Sequence, residues 1–328
     1  MTIKSILVTG GAGYIGSICV EKLISEGFQV TVIDNLKTGH REAVSKDANF
    51  FHGDIGCPEN LNEVFKNCIP DAVLHFAGST LVGESITKPL VYFKNNTING
   101  FTLLECAKSY GVRKFIFSST CATYGIPAQT PITESSPQFP TNPYGESKLA
   151  FERMLLSQAM QSEMESVIFR YFNAAGATKK YGEFHSPETH LIPRLLQVAM
   201  GQLDSLAIYG TNHPTPDGTC IRDYIHVEDL ASAHILALNS GVKGDYNLGR
   251  GKGDSVHEII KTCRKITDHP IPIEELPARD GEPPELVAST QKALTQLGWK
   301  AKYHSTDSII ESAWTWMKKN PKGYGQST

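Results

Sequence analysis

Ser5-Ile6-Leu7-Val8-Thr9-Gly10-Gly11-Ala12-Gly13-Tyr14-Ile15-Gly16 is a short apolar run that opens into glycines at 10, 13 and 16. Its length and β-branched content predict a buried parallel strand over Ser5–Thr9. Ile18, Cys19, Leu23 and Ile24 then recur at helical spacing as far as Gly27, so a helix follows the glycines. In such a turn the first glycine permits a tight bend, the second lets backbone approach a pyrophosphate, and the third lets helix and strand pack closely. The helix N-terminus offers unpaired N–H groups and positive dipole to the same phosphates. A second strand over residues 29–33 ends in Asp34. An acid there accepts hydrogen bonds from an adenosine ribose and repels a 2′-phosphate, which favours NAD over NADP. Asp34-Asn35 also suits a plain turn. Strand, glycines, helix, strand and acid in this order carry more weight than the glycines alone.

The alternation continues down the chain. Residues 71–78 read as a strand ending in a small-residue loop, Asn99–Ser109 as a helix stopped by Gly111, and 115–117 and 167–171 as two more strands. The predicted fold class is α/β, a doubly wound parallel sheet with ligands at the carboxyl ends of its strands. Phe76, Ala77 and Gly78, the polar stretch Ser118-Ser119-Thr120 (read as a loop) and Tyr171-Phe172-Asn173 all fall at such ends. After about residue 174 the rhythm breaks and glycine, proline and histidine become frequent. The expected organisation is a dinucleotide-binding domain over 1–173 and a smaller, loop-rich lobe over 174–328. A strand and helix near 224–240 are expected to rejoin the sheet. Loop arginines are usually solvated surface charges. Beside such a crevice, Arg222 and Arg279 are also planar bidentate donors suited to a second pair of phosphates.

The 328 residues are 40% hydrophobic and 20% charged with a net charge of −3, a composition without the basic field that nucleic acid requires. No apolar stretch approaches the roughly 20 residues that cross a bilayer. Residues 1–8 are too short and strand-like for a signal peptide. A cytoplasmic protein with neither nucleic-acid nor membrane partner is expected. The seven cysteines contain no Cys-x-x-Cys, and the eleven histidines show no His-Glu-x-x-His or other ligand spacing. No disulfide framework and no metal are therefore expected. His226 and His234, in apolar-periodic surroundings, read as structural.

Tyr144-Gly145-Glu146-Ser147-Lys148 bears the chemistry. On a helix Tyr144 and Lys148 share one face. Bringing a tyrosine from its usual pKa of about 10 to about 7, where it is a useful base, takes about 4 kcal/mol. An ammonium one turn away supplies part of that, and an oxidised nicotinamide ring would add a second positive charge. Tyr110 and Lys114 repeat the spacing, but they lead into an apolar run and read as a helix end entering a strand. Only Tyr144 has hydroxyl-bearing residues upstream, at 118–120, that could share its site.

These stretches, with Val82-Gly83-Glu84-Ser85, Arg170-Tyr171-Phe172-Asn173 and Asp217-Gly218-Thr219-Cys220-Ile221-Arg222-Asp223-Tyr224, resemble the extended short-chain dehydrogenase/reductases of Rossmann fold. Among them the likeness is to the UDP-hexose 4-epimerases, and it spans nearly the whole chain. The resemblance implies interconversion of UDP-glucose and UDP-galactose through a transient 4-keto sugar, with NAD held throughout. The implied cofactor residues are Gly10, Gly13, Tyr14, Ile15, Gly16, Asp34, Asn35, Leu36, Lys37, Thr38, Gly39, Asp54 and Ile55. To these it adds Phe76, Ala77, Gly78, Ser79, Thr80, Asn95, Thr120, Tyr144, Lys148 and Phe172. It implies that Tyr144 takes the proton of the sugar 4-hydroxyl as hydride leaves C4. Thr120 would bond that hydroxyl, and Lys148 would hold the nicotinamide ribose and lower the tyrosine pKa. The UDP-sugar would be anchored by Asn173, His190, Leu191, Tyr209, Arg222, Arg279 and Glu282, besides Thr120 and Tyr144. A homodimer paired through the Tyr144 helix and residues 95–109 is implied as well.

The chain departs from the family pattern at Ile18, where histidine is usual, at Thr80, where some members carry lysine, and at His190, which replaces asparagine. Leu286 stands where side-chain size is thought to gate N-acetylated sugars. UDP-N-acetylhexosamine, UDP-pentose and UDP-uronate 4-epimerases share the chemistry and stay open as alternatives. A nucleotide-sugar 4,6-dehydratase needs a carboxylate pair where this chain has Cys121-Ala122. A redox-sensing NAD-binding regulator would not need Thr120, Tyr144 and Lys148 together.

Overall fold

The computed structural model describes residues 3–279 and 281–325, so Met1 and Thr2 of the opening segment lie outside it. The first strand, β1 (Ser5–Thr9), runs into the glycines and then into α1 (Tyr14–Ser25). A Cβ at Gly16 would collide with the Gly10 carbonyl oxygen, so close packing of this turn demands glycine there. The chain continues through β2 (Gln29–Asp34), β3 (Asn49–His52), α2 (Pro58–Cys68) and β4 (Ala72–His75). Next come the short helices α3 (Val82–Thr87) and α4 (Pro89–Tyr92), a π-helical turn over Phe93–Ile98, and α5 (Asn99–Ser109). Then follow β5 (Lys114–Thr120), α6 (Pro143–Met160), β6 (Glu165–Tyr171) and β7 (Asn173–Ala175). In the second half the elements used below are α7 (Leu191–Ala199), β8 (Leu206–Tyr209), β9 (Ile221–Arg222), β10 (Tyr224–His226), α8 (Val227–Leu238) and β11 (Gly244–Leu248).

Seven strands form one parallel sheet in the order β11-β6-β5-β4-β1-β2-β3. Successive residues of a strand point to opposite faces, so each face needs its own helical cover. Ile6 and Val8 pack with Val20, Leu23 and Leu230 of α1 and α8, while Leu7 packs with Leu61, Leu103 and Phe151 of α2, α5 and α6. Strand order reverses between β1 and β4, and the crevice at their carboxyl ends is where a doubly wound sheet takes its ligand.

Two readings are corrected by this architecture, and a third, the helix end entering a strand at Tyr110–Lys114, is borne out. Ser118, Ser119 and Thr120 are the last residues of β5, not a loop. They pair with Phe169, Arg170 and Tyr171, and all three are buried. The pairing satisfies their backbone, and their hydroxyls find polar partners at the strand end. The strand over 224–226 does not rejoin the main sheet. β7 follows β6 immediately and has already passed the sheet's edge, so β10 pairs with β7 beyond it. α8 then crosses back over the α1 face, and β11 at 244–248 enters the sheet beside β6. The Tyr110–Lys114 pair shares no helix face, because Tyr110 caps the end of α5 and Lys114 opens β5. The Lys114 ammonium is buried on the Ala237 carbonyl at 2.7 Å and on Glu165 at 3.0 Å.

Helix α6 is held to the sheet by a buried ion pair that the sequence reading did not single out. Arg170 of β6 donates to Glu152 of α6 at 2.8–3.2 Å through two of its nitrogens, and to the Tyr124 hydroxyl at 2.8 Å. Removing one partner of a buried pair strands the other charge and costs about 3–5 kcal/mol, whereas replacing both with apolar groups of similar size is often neutral. Glu152→Ala should therefore lower the unfolding free energy by about that amount, and Glu152→Met with Arg170→Met should recover most of it. Denaturant midpoints of the three proteins check this.

Candidate active site

Helix α6 starts at Asn142, whose side chain accepts the Gly145 N–H at 2.9 Å, with Pro143 at its first position. A Cβ on Gly145 would lie 2.6 Å from the Ala122 carbonyl oxygen, so glycine lets the first turn of α6 press against the segment after β5. That contact sets Tyr144 beside Thr120, whose hydroxyl hydrogen-bonds the phenol. Lys148, one turn on, is 3% exposed and donates to the Ser118 carbonyl at 3.0 Å, with its ammonium 4.9 Å above the Phe117 ring. Gly78 at the end of β4 faces it, and a Cβ there would come within 3.3 Å of the ammonium. The missing side chain leaves an approach to Lys148 from the β1–β4 crevice.

The electrostatics differ from the sequence expectation. Desolvation pushes the Tyr144 phenol up to about 12, although the Thr120 hydrogen bond works against it. Burial likewise brings Lys148 down to about 8, partly offset by Glu152. Loss of hydration therefore outweighs the Thr120 hydrogen bond, and the protein's own residues favour the protonated phenol at neutral pH. His75, at the end of β4, is pushed down to about 3 by burial and by Lys148, and its Nδ1 pairs with the Thr9 hydroxyl at 2.7 Å.

On the glycine-loop side, the Asp34 carboxylate accepts the Ala12 N–H at 3.0 Å and the Leu36 N–H at 2.9 Å. It forms the turn at the end of β2 and is a buried acceptor. Each oxygen keeps a lone pair for a further donor. Asn35 bridges to Asp54 at 2.8 Å, Ile55 is buried behind it, and Lys37 and Thr38 lie exposed at the rim with Thr80. Tyr14 turns its hydroxyl to the Gly176 carbonyl at 2.5 Å, and Ile15 packs into the core. Asn95 reaches the Ser79 hydroxyl at 2.9 Å. The neighbouring Asn96, missed by the sequence reading, holds both backbone groups of Ser79 and the Ser147 hydroxyl. The π-helical turn is what lets two consecutive asparagines face one loop.

The second half supplies the other wall. Asn173 begins β7, and Phe172 joins Cys121, Tyr124, Ile132, Leu286 and Ala288 in one apolar cluster. Leu286 thus sits beside the segment after Thr120. Arg222 on β9 reaches Glu282 at 3.3 Å, and the other Glu282 oxygen is buried with no partner among the described residues. The Arg279 guanidinium stacks 3.9 Å over the Tyr209 ring. The Cys121 thiol lies within electrostatic reach of both Tyr144 and Arg222, so these two residues flank the segment after Thr120. His190 and Leu191 lie at the start of α7, and the His190 ring is tied to Glu183 at 2.8 Å and Glu188 at 3.1 Å rather than standing free. Burial opposes its charge, but the two carboxylates win and push it up to about 10. His226 and His234 are structural: one stacks on Tyr303 at 3.6 Å, and the other is bonded by the Tyr171 hydroxyl and the Leu230 carbonyl, both at 2.8 Å.

Lys148 offers a test of this electrostatic balance. Between pH 8 and the ordinary lysine value the folded chain has lost this proton while the unfolded chain keeps it, so this group's contribution to stability rises with pH across that window. Unfolding free energies measured along that range should show this rise in the wild type and lack it in Lys148→Met.

Known proteins place this geometry. Residues 6–249 match the model of the NAD dependent epimerase/dehydratase family. The chain is 52% identical to a UDP-glucose 4-epimerase of Halalkalibacterium halodurans, over 98% of this chain and 97% of the relative. It is 49% identical to one from Lacticaseibacillus casei, over 98% and 99%. A crystal structure of a UDP-glucose 4-epimerase superposes with a TM-score of 0.95 at 51% identity, covering 98% of this chain and 100% of that one. The Bifidobacterium longum UDP-glucose 4-epimerase, crystallised in complex with NAD+ and UDP, gives 0.93 at 38% identity, covering 97% and 99%.

Proposed function

The chain belongs to the NAD dependent epimerase/dehydratase family, and on that premise we propose that it is a UDP-glucose 4-epimerase interconverting UDP-glucose and UDP-galactose with tightly held NAD. The observation that carries this reading is the convergence of Thr120, Tyr144 and Lys148 on a crevice that Gly78 leaves open. When bound, NAD supplies a hydride acceptor and a positive ring. The residues fit it: the 10–16 turn and α1 N-terminus suit its phosphates, Asp34 its adenosine ribose, and Asn95, Ser79 and Lys148 its nicotinamide half.

In this scheme Thr120 and Tyr144 hold the sugar 4-hydroxyl, and the tyrosine oxygen receives its proton as the 4-keto sugar forms and returns it afterwards. Raised to about 12 by the protein alone, Tyr144 becomes a base only when cationic charge stands beside it, which couples proton removal to the presence of the oxidised cofactor. Lys148 supplies part of that charge. Arg222, Arg279, Glu282 and Tyr209 suit the UDP: planar guanidinium groups for the diphosphate, an unpartnered carboxylate oxygen for a hydroxyl and an aromatic face beside them. Strong holding at the UDP with little grip on the hexose is what return of hydride to either sugar face requires.

We assign the cofactor to residues 1–173 and the UDP-sugar to the lobe over 174–328, with a cytoplasmic location. No helix among the described residues is long and apolar enough to cross a membrane. A homodimer fits the surface: Leu90, Val91, Ile98 and Phe101 on the α4–α5 side and Leu156 and Met160 on α6 are exposed, an apolar area that a second copy would cover.

Purified protein should release NAD on denaturation, and Tyr144→Phe should keep that nucleotide while losing roughly 10²- to 10⁴-fold in turnover. Product analysis with UDP-galactose, UDP-N-acetylgalactosamine and UDP-xylose measures this and should show the first preferred. Unchanged turnover in the variant would remove Tyr144 from the reaction. Sedimentation equilibrium should give twice the chain mass, falling to one chain in Ile98→Glu/Phe101→Glu; a monomeric wild type would sink the dimer.

A further inference from the structure

The loop leading into α7 brings together Glu183, His185, Glu188 and His190, each offering one ligand atom within 4.8 Å of the others. The sequence reading found no ligand spacing among the histidines, because Glu-x-His-x-x-Glu-x-His matches no common motif. Both imidazoles present Nδ1 to the same two carboxylates. His185 stands 3.5 Å from Glu183 and 3.3 Å from Glu188, and His190 stands 2.8 Å and 3.1 Å from them. A tetrahedral zinc with bonds of about 2.0–2.1 Å has ligand–ligand edges of roughly 3.3–3.4 Å; the two Glu183 Oε1 separations fall on either side of that length, and Glu188 comes near it through Oε2 to His185 and Oε1 to His190.

The surroundings suit a metal. The Glu183 and Glu188 side chains are 7% and 5% exposed, while those of His185 and His190 keep 25% and 44%. The carboxylates are therefore fixed and the histidines line an entry. Glu188 also accepts the N–H groups of Thr189 at 2.8 Å and His190 at 2.9 Å, an outer layer of hydrogen bonds that orients a ligand. Two carboxylates and two neutral imidazoles balance a divalent ion. We propose that these four residues form a tetrahedral site for a divalent transition metal of zinc's kind, with no coordination position left for catalysis. The site clamps the substrate lobe onto the cofactor side. The Phe184 carbonyl in the same loop meets His40 Nε2 at 3.1 Å, and the Tyr14 ring packs edge-on to His185 at 6.5 Å.

The test loads the full-length protein with zinc, desalts it and counts metal by mass spectrometry. About one ion per chain is expected for a closed four-ligand site, and roughly tenfold less in Glu183→Gln/His185→Ala. Cobalt(II) gives a second readout that needs no variant. Visible ligand-field bands of a tetrahedral nitrogen–oxygen site support the assignment. A near-ultraviolet thiolate charge-transfer band would instead place the ion at the other cluster, His213, Cys220 and Glu282, and overturn it. Wild type that retains no metal, leaving only a cluster of ion pairs, or a double variant that retains as much as wild type, would overturn it equally.

Discussion

The buried pair between Arg170 and Glu152 is the constraint on which the geometry around Tyr144 depends. Glu152 lies one helical turn beyond Lys148 and two beyond Tyr144, on the same face of α6. Whatever pins Glu152 to β6 therefore also sets how far Lys148 reaches along Ser118 and where Tyr144 meets Thr120. The pair sits in a wider network: Ser119 and Gln138 donate to Glu152, Asp245 of β11 approaches Arg170 at 2.7 Å, and Asn247 accepts from Tyr124 at 2.8 Å. Three neighbouring strands and α6 are thus locked at one height. Desolvating two charges brings little net stability, so the network is better understood as fixing one arrangement of α6 against its alternatives.

The same burial that makes the site well defined also makes it inert on its own. A phenol removed from water without a close cation becomes a weaker acid, and an ammonium removed from water becomes a stronger one. Tyr144 and Lys148 move in those two directions, toward their neutral forms. A site built this way responds to added positive charge.

Cleft formation needs the second half of the chain. Asp223, fully buried, accepts N–H groups from Arg250 at 2.7 Å, Gly251 at 2.9 Å and Ala288 at 3.2 Å, and burial still raises its pKa to about 6. It joins the β9–β10 segment, the end of β11 and the strand Glu285–Leu286, so that Arg222 and Leu286 face the segment after Thr120. The lobe is less an appendage than a wall stitched to the sheet at its carboxyl edge.

What the sequence by itself determined was local. The strand, glycine turn and helix at the N-terminus, the acid ending β2, and the Tyr144–Lys148 pair on one helix face all follow from steric and periodic rules acting over a few residues. Strand pairing, desolvation and convergence of distant side chains were decided only by the tertiary structure. Ser118-Ser119-Thr120 is polar and reads as a loop until β6 satisfies its backbone. The strand over 224–226 looks fit for the main sheet until β7 carries its partner past the edge. The Tyr144–Lys148 spacing promises a lowered tyrosine pKa, whereas burial pushes the phenol up. Glu152 and Arg170 are ordinary surface-type residues in sequence, and their pairing exists only because α6 and β6 meet.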